Sequence, residues 1–430
     1  MSKSKELNQR GLYLAIVGLI SFHLVAEAIR RFVVYSDLVY FAADFAVMLL
    51  ALKAVKMGRF RIDVTAGFLL CVYITWGIFS LFYSGESILL AAVGVRPLLL
   101  AVLGYVIAEN YFRLAEDCYE LFYRLIGVVT IVVLLVAVIQ VALGPDAPIN
   151  SLPSDTGAEF GGRGDYGVEG EGLEWLFRPT SIFMHTGRLG QYSFFLALSL
   201  IVPMLITKSI KREHLIYAVA SVVLVLVSGQ RAAGVFILLS VFISLVLFGS
   251  SKILFRLIFF AILFGAIFLV IAPDVSDVIF GRFFSGFTGG SNRVSESIKY
   301  WQVGFSEYPI FGKGLGFFSF GGKAFGGDVY YQYMLRFGGG GETSWLRVQG
   351  EVGILGALVF FFLVLKIVAK SYARARSAIP QSKAIHLIAM MFALFSIVWG
   401  FTHDIYGNYL FITPMFALFG ASAGLSRRNV

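Results

Sequence analysis

Runs of about 20 apolar residues recur along this chain, and they restrict its fold more than any other feature. They give a hydrophobic content of 58%, against 14% charged residues, and a mean hydropathy of +0.82. A water-soluble protein of 430 residues could not bury so much apolar surface. In lipid, every backbone N–H and C=O must be hydrogen-bonded within the protein, so continuous runs of this length predict helices. We therefore predict an all-α, polytopic integral membrane protein.

The positions of the runs predict about twelve transmembrane helices in a single membrane domain, residues 1–430. An even number of helices places both termini on one side of the membrane. The predicted spans are 11–29, 38–55, 64–83, 91–108, 122–143, 189–207, 214–229, 232–249, 252–272, 348–368, 384–402 and 406–424.

Lysines and arginines predict the orientation. Twenty-one of them lie at helix ends on one side, whereas the short connections of the other side hold only Arg30, Arg31, Arg96 and Arg231. Cytoplasmic loops carry such an excess, so we expect both termini in the cytoplasm. The same placement explains the net charge of +9 without nucleic acid as a partner.

Two connections on the non-cytoplasmic side are much longer than the others, residues 144–188 and 273–347. Loops of this length usually carry function. The basic residues of this side are eleven arginines and three lysines, whereas those of the cytoplasmic side are eleven arginines and ten lysines. Guanidinium binds phosphate through paired hydrogen bonds and keeps its charge. The excess of arginine therefore indicates a phosphate-bearing ligand.

Arginines stand at two helix boundaries on this side. Arg178, His185 and Arg188 lead into the sixth predicted helix, where they could bind a lipid-linked phosphate or serve only as interfacial anchors. Arg231 interrupts the apolar stretch 214–249, either in a tight turn between two helices or in a break at membrane depth. An arginine at this depth needs a partner, so we favour a function for it.

The second loop adds three kinds of candidate. Arg293 begins a segment with apolar residues at every third or fourth position, which predicts an amphipathic helix. In the glycine-rich tract that follows, Tyr330 and Tyr331 could stack on sugar rings or belong to an interfacial aromatic belt. Glu342, after four glycines, is a candidate general base or an ordinary carboxylate at a helix start.

Further carboxylates and one histidine are secondary candidates: Asp44, Glu351, His403 and Asp404. The sequence has no HExxH and no Cys/His cluster. We therefore expect no metal and no cofactor.

Several of these segments, in their order and spacing, resemble the bacterial superfamily of O-antigen ligases and of O-antigen and exopolysaccharide polymerases. The resemblance covers residues 178 to 362. The RPTSIF segment from Arg178 is similar to the superfamily's RPTGxF motif, and SGQRAA from Ser228 is similar to its SGSRGA junction. PIFGKGLG from Pro309 is similar to PLFGxGxG, and Glu351 begins an ExGxxG pattern.

The resemblance implies a metal-independent, inverting glycosyltransferase that uses polyprenyl-pyrophosphate-linked donors. Arg231 and Arg293, with Arg178 and Arg188, would hold the pyrophosphate. Ligases carry His-Asn before the closing pattern, where this chain has Glu342 and Thr343. Glu342 would then replace the histidine as base, which favours a polymerase.

The implied setting is the bacterial inner membrane, with the active site facing the periplasm. The implied partners are a polyprenyl-pyrophosphate-linked oligosaccharide, a glycan acceptor, membrane lipids and a chain-length regulator protein. Two alternatives remain open: a ligase that transfers finished glycan to a lipid core, and a flippase or transporter of lipid-linked sugars. The transporter predicts paired interrupted helices in the two halves of the chain.

Overall fold

The structure is a computed structural model. It describes residues 3–34, 36, 38–115, 117–144, 147–150, 179–183, 186–207, 212–248, 302, 306, 310–318, 343–401 and 403–428. Within these ranges the chain forms eleven α-helices and a short 3₁₀ turn, Pro148–Asn150, and no strand. The helices are α1 Lys3–Phe32, α2 Leu38–Met57, α3 Val64–Ser84, α4 Leu89–Leu114, α5 Cys118–Leu143, α6 Thr186–Thr207, α7 Arg212–Ser228, α8 Arg231–Phe248, α9 Ser344–Ser377, α10 Pro380–Trp399 and α11 Tyr409–Arg428.

Nine of the described helices are long and apolar enough to cross a membrane, namely α1 to α6 and α9 to α11. The all-α membrane fold is therefore confirmed. Each of the eleven helices overlaps one predicted span, while the span 252–272 and most of the two large loops lie outside the described residues. The total of twelve spans stays a prediction.

Burial divides the helices into central and peripheral ones. In the most apolar stretch of α6, α10 and α11, 89%, 78% and 83% of the residues are buried, against 28% in α2. The outward face of α2 instead exposes large apolar side chains such as Phe41, Phe45 and Leu52. In water such a surface would associate with other apolar surfaces, and lipid is the solvent that suits it.

Ion pairs mark the two ends of the bundle. At one end, Lys370 of α9 pairs with Asp63 before α3, and Arg427 of α11 donates to Glu109 of α4 over 2.8 Å. We call this the Lys370 end. Gly11 of α1 packs on Met57 nearby, so α1 begins and α11 finishes at this end. The opposite end, where Arg188 of α6 lies, is called the Arg188 end.

Helix α9 is broken near its start, at the Arg188 end. Gly353 has φ 66° and ψ −175°, a conformation that only glycine adopts readily. The break frees backbone carbonyl groups, and segment 310–318 satisfies them. Lys313 N donates to Gly350 O and Gly314 N to Glu351 O, each over 2.8 Å. The indole of Trp76 donates to Val352 O over 2.9 Å, which fixes α3 to the same break.

Candidate functional site

The structure describes only part of the predicted site. Arg188 lies on the first turn of α6 and is fully described. Arg231 is the first residue of α8, and its backbone is described. The other predicted site residues lie outside the described ranges: Arg178, His185, Arg293, Tyr330, Tyr331 and Glu342. Their convergence with Arg231 stays a prediction.

Arg231 follows a tight turn. Helices α7 and α8 both pack on α6, and only residues 229–230 connect them. Phe236 of α8 stacks on Phe395 of α10, and farther along α8 Ser244 contacts Met391, so α8 runs back towards the Lys370 end. The chain therefore reverses direction in a tight turn at residues 229–230, and the depth of this turn in the membrane stays a prediction.

The starts of α6 and α8 lie side by side. The side chain of Gln230 packs against Gly190, where a Cβ atom would clash. Gly190 is two residues after Arg188, and Gln230 directly precedes Arg231. Arg188 and Arg231, two of the predicted phosphate-binding arginines, therefore lie in the first turns of two neighbouring helices at one end of the bundle.

Arg188 belongs to a buried polar cluster that four helices build. Its Nη1 donates to Glu27 Oε1 of α1 over 2.6 Å and to the hydroxyl of Tyr40 of α2 over 3.0 Å. The hydroxyls of Tyr40 and of Tyr409 on α11 donate to the same Glu27 oxygen, over 2.5 and 2.6 Å. Glu27 has no exposed surface, whereas the Arg188 side chain is 23% exposed. A carboxylate within an apolar helix needs such partners, and they hold Arg188 in one orientation.

A second ion pair adjoins this cluster. Arg96 of α4 donates hydrogen bonds to both carboxylate oxygens of Asp44 on α2. The distance is 2.5 Å from Nε to Oδ2 and 3.2 Å from Nη2 to Oδ1. His23 Nε2 of α1 lies 3.0 Å from Asp44 Oδ1, and its ring packs 4.8 Å from that of Tyr409. The Arg96 side chain remains 24% exposed. Asp44, a secondary candidate, thus orients a second partly exposed arginine.

A third arginine, Arg347, is held between two carboxylates. Its Nε donates to Glu351 Oε1 over 3.1 Å, and its Nη1 donates to Asp404 Oδ2 over 2.7 Å. Asp404 also accepts a hydrogen bond from Gly407 N over 3.1 Å. Two of the secondary candidates, Glu351 of α9 and Asp404 of the turn between α10 and α11, thus bind the same guanidinium group.

This turn joins the clusters. Gln191, one helical turn after Arg188, accepts a hydrogen bond from Asn408 Nδ2 over 2.5 Å, and its own amide donates to Asp404 O over 3.5 Å. Tyr409, which binds Glu27, comes directly after Asn408. The three arginines are therefore parts of one continuous polar region at the Arg188 end.

The remaining described piece of the RPTSIF motif forms a strained turn. Ser181 has φ 53°, the single positive value among the described non-glycine residues. Gln140 of α5 holds it, because Oε1 accepts from Ser181 N over 2.6 Å and Nε2 donates to Ser181 O over 3.2 Å. The Ser181 hydroxyl donates to Val133 O over 2.7 Å. Three hydrogen bonds thus fix the backbone just before α6.

The region suits the binding of an anion. The described contacts of Arg188 use Nη1 alone, so among the described residues its Nε and Nη2 stay available as donors. A cavity of about 20 Å³ beside Arg347, Glu351 and Tyr406 has room for about one water molecule. Fixed guanidinium groups in a region of low polarity bind developing negative charge without reorganising.

One group of described residues has metal-ligand chemistry, and it lies elsewhere, at the Lys370 end. Donor atoms of Glu120, Glu213 and His214 lie within 4.8 Å of one another. Glu120 is also paired with Arg124 over 3.5 Å, and the His214 ring packs 4.4 Å from that of Tyr123. These contacts explain the cluster without a metal ion.

A scan against protein-family models and a search of curated proteins gave no match.

Sequence reasoning missed Glu27, Tyr40 and Tyr409 and treated Arg96 only as a topology marker. One signal was present for Glu27. A single carboxylate within an otherwise apolar span is costly in lipid unless it has a function or a partner. Nothing in the sequence marks the two tyrosines, since tyrosine is common near membrane interfaces.

Proposed function

We propose that this protein is a polysaccharide polymerase. It transfers glycan from a polyprenyl-pyrophosphate-linked donor to a sugar hydroxyl, for O-antigen or exopolysaccharide synthesis. The observation that carries the proposal is the neighbouring position of the α6 and α8 starts, with Arg188 held rigidly by Glu27. A lipid-linked diphosphate needs several fixed cations at the membrane boundary, and this end of the bundle supplies them.

The proposed reaction is an inverting displacement without a metal. The acceptor hydroxyl oxygen attacks the anomeric carbon, and the bond from that carbon to the pyrophosphate oxygen breaks. The pyrophosphate lipid leaves with the bonding electron pair, and Arg231, Arg293 and Arg188 stabilise its charge. Glu342 takes the acceptor proton. Fixed positive charge lowers the barrier because it meets charge that appears only as the sugar leaves.

The proposed setting is a bacterial inner membrane with both termini in the cytoplasm. The Arg188 end would face the periplasm, where lipid-linked glycans would be polymerised. The excess of lysine and arginine at the Lys370 end supports this orientation.

A deletion strain tests the reaction class. Loss of a polymerase leaves single-repeat glycolipid, whereas loss of a ligase leaves long chains unattached to the lipid core. Complementation with the wild-type gene should restore the ladder of polymer lengths, and Arg231→Ala should not, at equal protein level. Arg124→Ala is the matched control, because Arg124 is 56% exposed and lies at the Lys370 end. A complete ladder of polymer lengths in the strain that carries Arg231→Ala would contradict the proposal.

Two observations favour the transporter as a second candidate. Helix α9 is interrupted at Gly353, and Asp44 and Glu27 are carboxylates within membrane-length helices. Interrupted helices and intramembrane carboxylates are features of transporters. Purified protein in vesicles separates the two functions, because a transporter moves lipid-linked sugar across the bilayer without lengthening it.

A further inference from the structure

A group of charged side chains at the Lys370 end contains two carboxylates and a larger number of cations. Lys370 of α9 pairs with Asp63, and Arg427 of α11 donates to Glu109 Oε1 of α4 over 2.8 Å. Arg113 Nε, also of α4, lies 3.2 Å from the same Glu109 oxygen. The Glu109 carboxylate is therefore shared by two arginines, which leaves positive charge in excess.

Arg374, one helical turn after Lys370, adds a further cation. Among the described residues no carboxylate pairs with it. Its Nη1 donates to the hydroxyl of Ser422 on α11 over 3.2 Å, and its guanidinium carbon lies 5.3 Å from the centre of the Phe419 ring. The Ser422 hydroxyl lies 2.8 Å from His386 Nδ1 of α10. These contacts fix the guanidinium group, and among the described residues its Nε and Nη2 stay available as donors.

These charged groups belong to one site, because four of them act electrostatically on the Tyr105 hydroxyl of α4: Asp63, Glu109, Arg374 and Arg427. That hydroxyl is buried and has no hydrogen-bond partner among the described residues. With Arg113 and Lys370, four cations stand against two carboxylates around it. An excess of fixed positive charge with unused donors suits an anion.

The surface beside this site is apolar. Val64, which directly follows Asp63, is 86% exposed, and Phe68, one turn later on α3, is 65% exposed. The side chain of Lys370, 34% exposed, lies at the edge of this surface through its pair with Asp63. Hydrocarbon chains rather than water suit such a face. An anion that fits both the charge and the surface therefore carries apolar chains.

We propose that the Lys370 end binds one anionic phospholipid, whose headgroup phosphate accepts hydrogen bonds from Arg374 and whose acyl chain lies along Val64 and Phe68. Guanidinium donates paired hydrogen bonds to phosphate oxygens. Basic pockets between helix ends bind anionic headgroups in membrane proteins. The excess positive charge favours a headgroup with net negative charge over a zwitterionic one. The site lies at the end of the bundle opposite Arg188, and it does not rest on the proposed function.

Thermal unfolding of the full-length protein in a neutral detergent tests the choice of ligand, because a ligand that binds the folded state raises the unfolding temperature. Phosphatidylglycerol should raise that temperature, whereas phosphatidylcholine with the same acyl chains should leave it unchanged. Inorganic phosphate, the soluble anion, should also leave it unchanged. Equal shifts with the two phospholipids would overturn the proposal, and so would an equal shift with inorganic phosphate.

A matched pair of variants tests the place of binding. Arg374→Gln keeps a donor for Ser422 but removes the charge, and the Kd for phosphatidylglycerol, measured by native mass spectrometry, should rise about tenfold. Arg376→Gln, the same change at an exposed position two residues later, should leave the Kd unchanged. Equal Kd values for the two variants would contradict the proposal. The comparison of phospholipids on the wild type decides the matter if Arg374→Gln does not fold. Lipid binding needs no glycan, so its result is independent of sugar transfer.

Discussion

Glu27 and Arg188 form a partly buried ion pair of 2.6 Å across 161 residues of sequence, where α1, α2, α6 and α11 meet. The pair joins α1 to α6, and Tyr409 of α11 donates to the same Glu27 oxygen, so the cluster links helices from both halves of the chain. The pair also orients a guanidinium group at the Arg188 end, near the start of α8. Its stability and its function are therefore linked.

Glu27→Gln should destabilise the protein strongly. The amide keeps the shape of the carboxylate but leaves the charge of Arg188 unpaired, and breaking a buried pair costs about 3–5 kcal/mol. Thermal unfolding in detergent measures the change. Glu120→Gln is the control, because the Glu120–Arg124 pair is exposed and should contribute less than about 1 kcal/mol. Equal unfolding temperatures for the two variants would contradict the assignment.

Ser181→Val should be more destabilising than Ser181→Gly by about 2 kcal/mol. A β-branched residue at φ 53° is strained, whereas glycine adopts this conformation freely. Both variants lose the hydrogen bond to Val133, so that bond does not contribute to their difference. Denaturant unfolding in mild detergent measures the difference, and equal stabilities would refute the strained turn.

Gly353→Ala should release segment 310–318 from the break in α9. An added Cβ at Gly353 would clash with the carbonyl of Ile310, and the backbone conformation also excludes alanine. Faster proteolysis near Lys313 is the expected result. Gly85→Ala is the matched control, since Gly85 has φ 71° but no atom near the new Cβ. Unchanged proteolysis of Gly353→Ala would show that the segment is held in some other way.

Asp63 should make stability depend on pH at the Lys370 end. Burial raises the pKa of its carboxyl group. Hydrogen bonds from Lys370 and from Ala66 N, together with the nearby positive charge, lower the pKa by a larger amount, so the net shift is downward. A lowered pKa stabilises the folded state above the unfolded value of about 3.9, and this stabilisation is lost as the pH falls through the folded value. Asp63→Asn keeps an N-cap residue but removes the charge.

The stability difference between wild type and Asp63→Asn should therefore be full at pH 6 and shrink below about pH 4. Unfolding of both proteins over this range in detergent gives the measurement. A difference that stays constant down to pH 2 would show that the charge of Asp63 is not responsible.

The sequence predicted the helices well and the polar region poorly, for physical reasons. Lipid requires apolar runs of fixed length, so α2 and α3 begin at or next to their predicted first residues. The partners of Glu27 come from α2, α6 and α11, and no local pattern encodes such distant contacts. The break at Gly353 was also missed, because glycine is common in membrane helices and segment 310–318 supplies the missing hydrogen bonds.

Part of the predicted site could be located and part could not. Arg188 and the backbone of Arg231 lie at one end of the bundle. Arg293 and Glu342, which would complete the catalytic group, lie outside the described residues. Their roles as pyrophosphate ligand and base stay predictions.

The most direct test of the central claim is glycan transfer by the purified protein, supplied with a synthetic polyprenyl-pyrophosphate-linked oligosaccharide. Wild-type protein and Arg124→Ala should lengthen the glycan in repeat-unit steps without added metal, and the product should carry the inverted anomeric configuration. Arg231→Ala should lower the rate at least a hundredfold while the protein remains folded. Elongation by Arg231→Ala at the wild-type rate would contradict the proposal that this guanidinium group stabilises the leaving pyrophosphate.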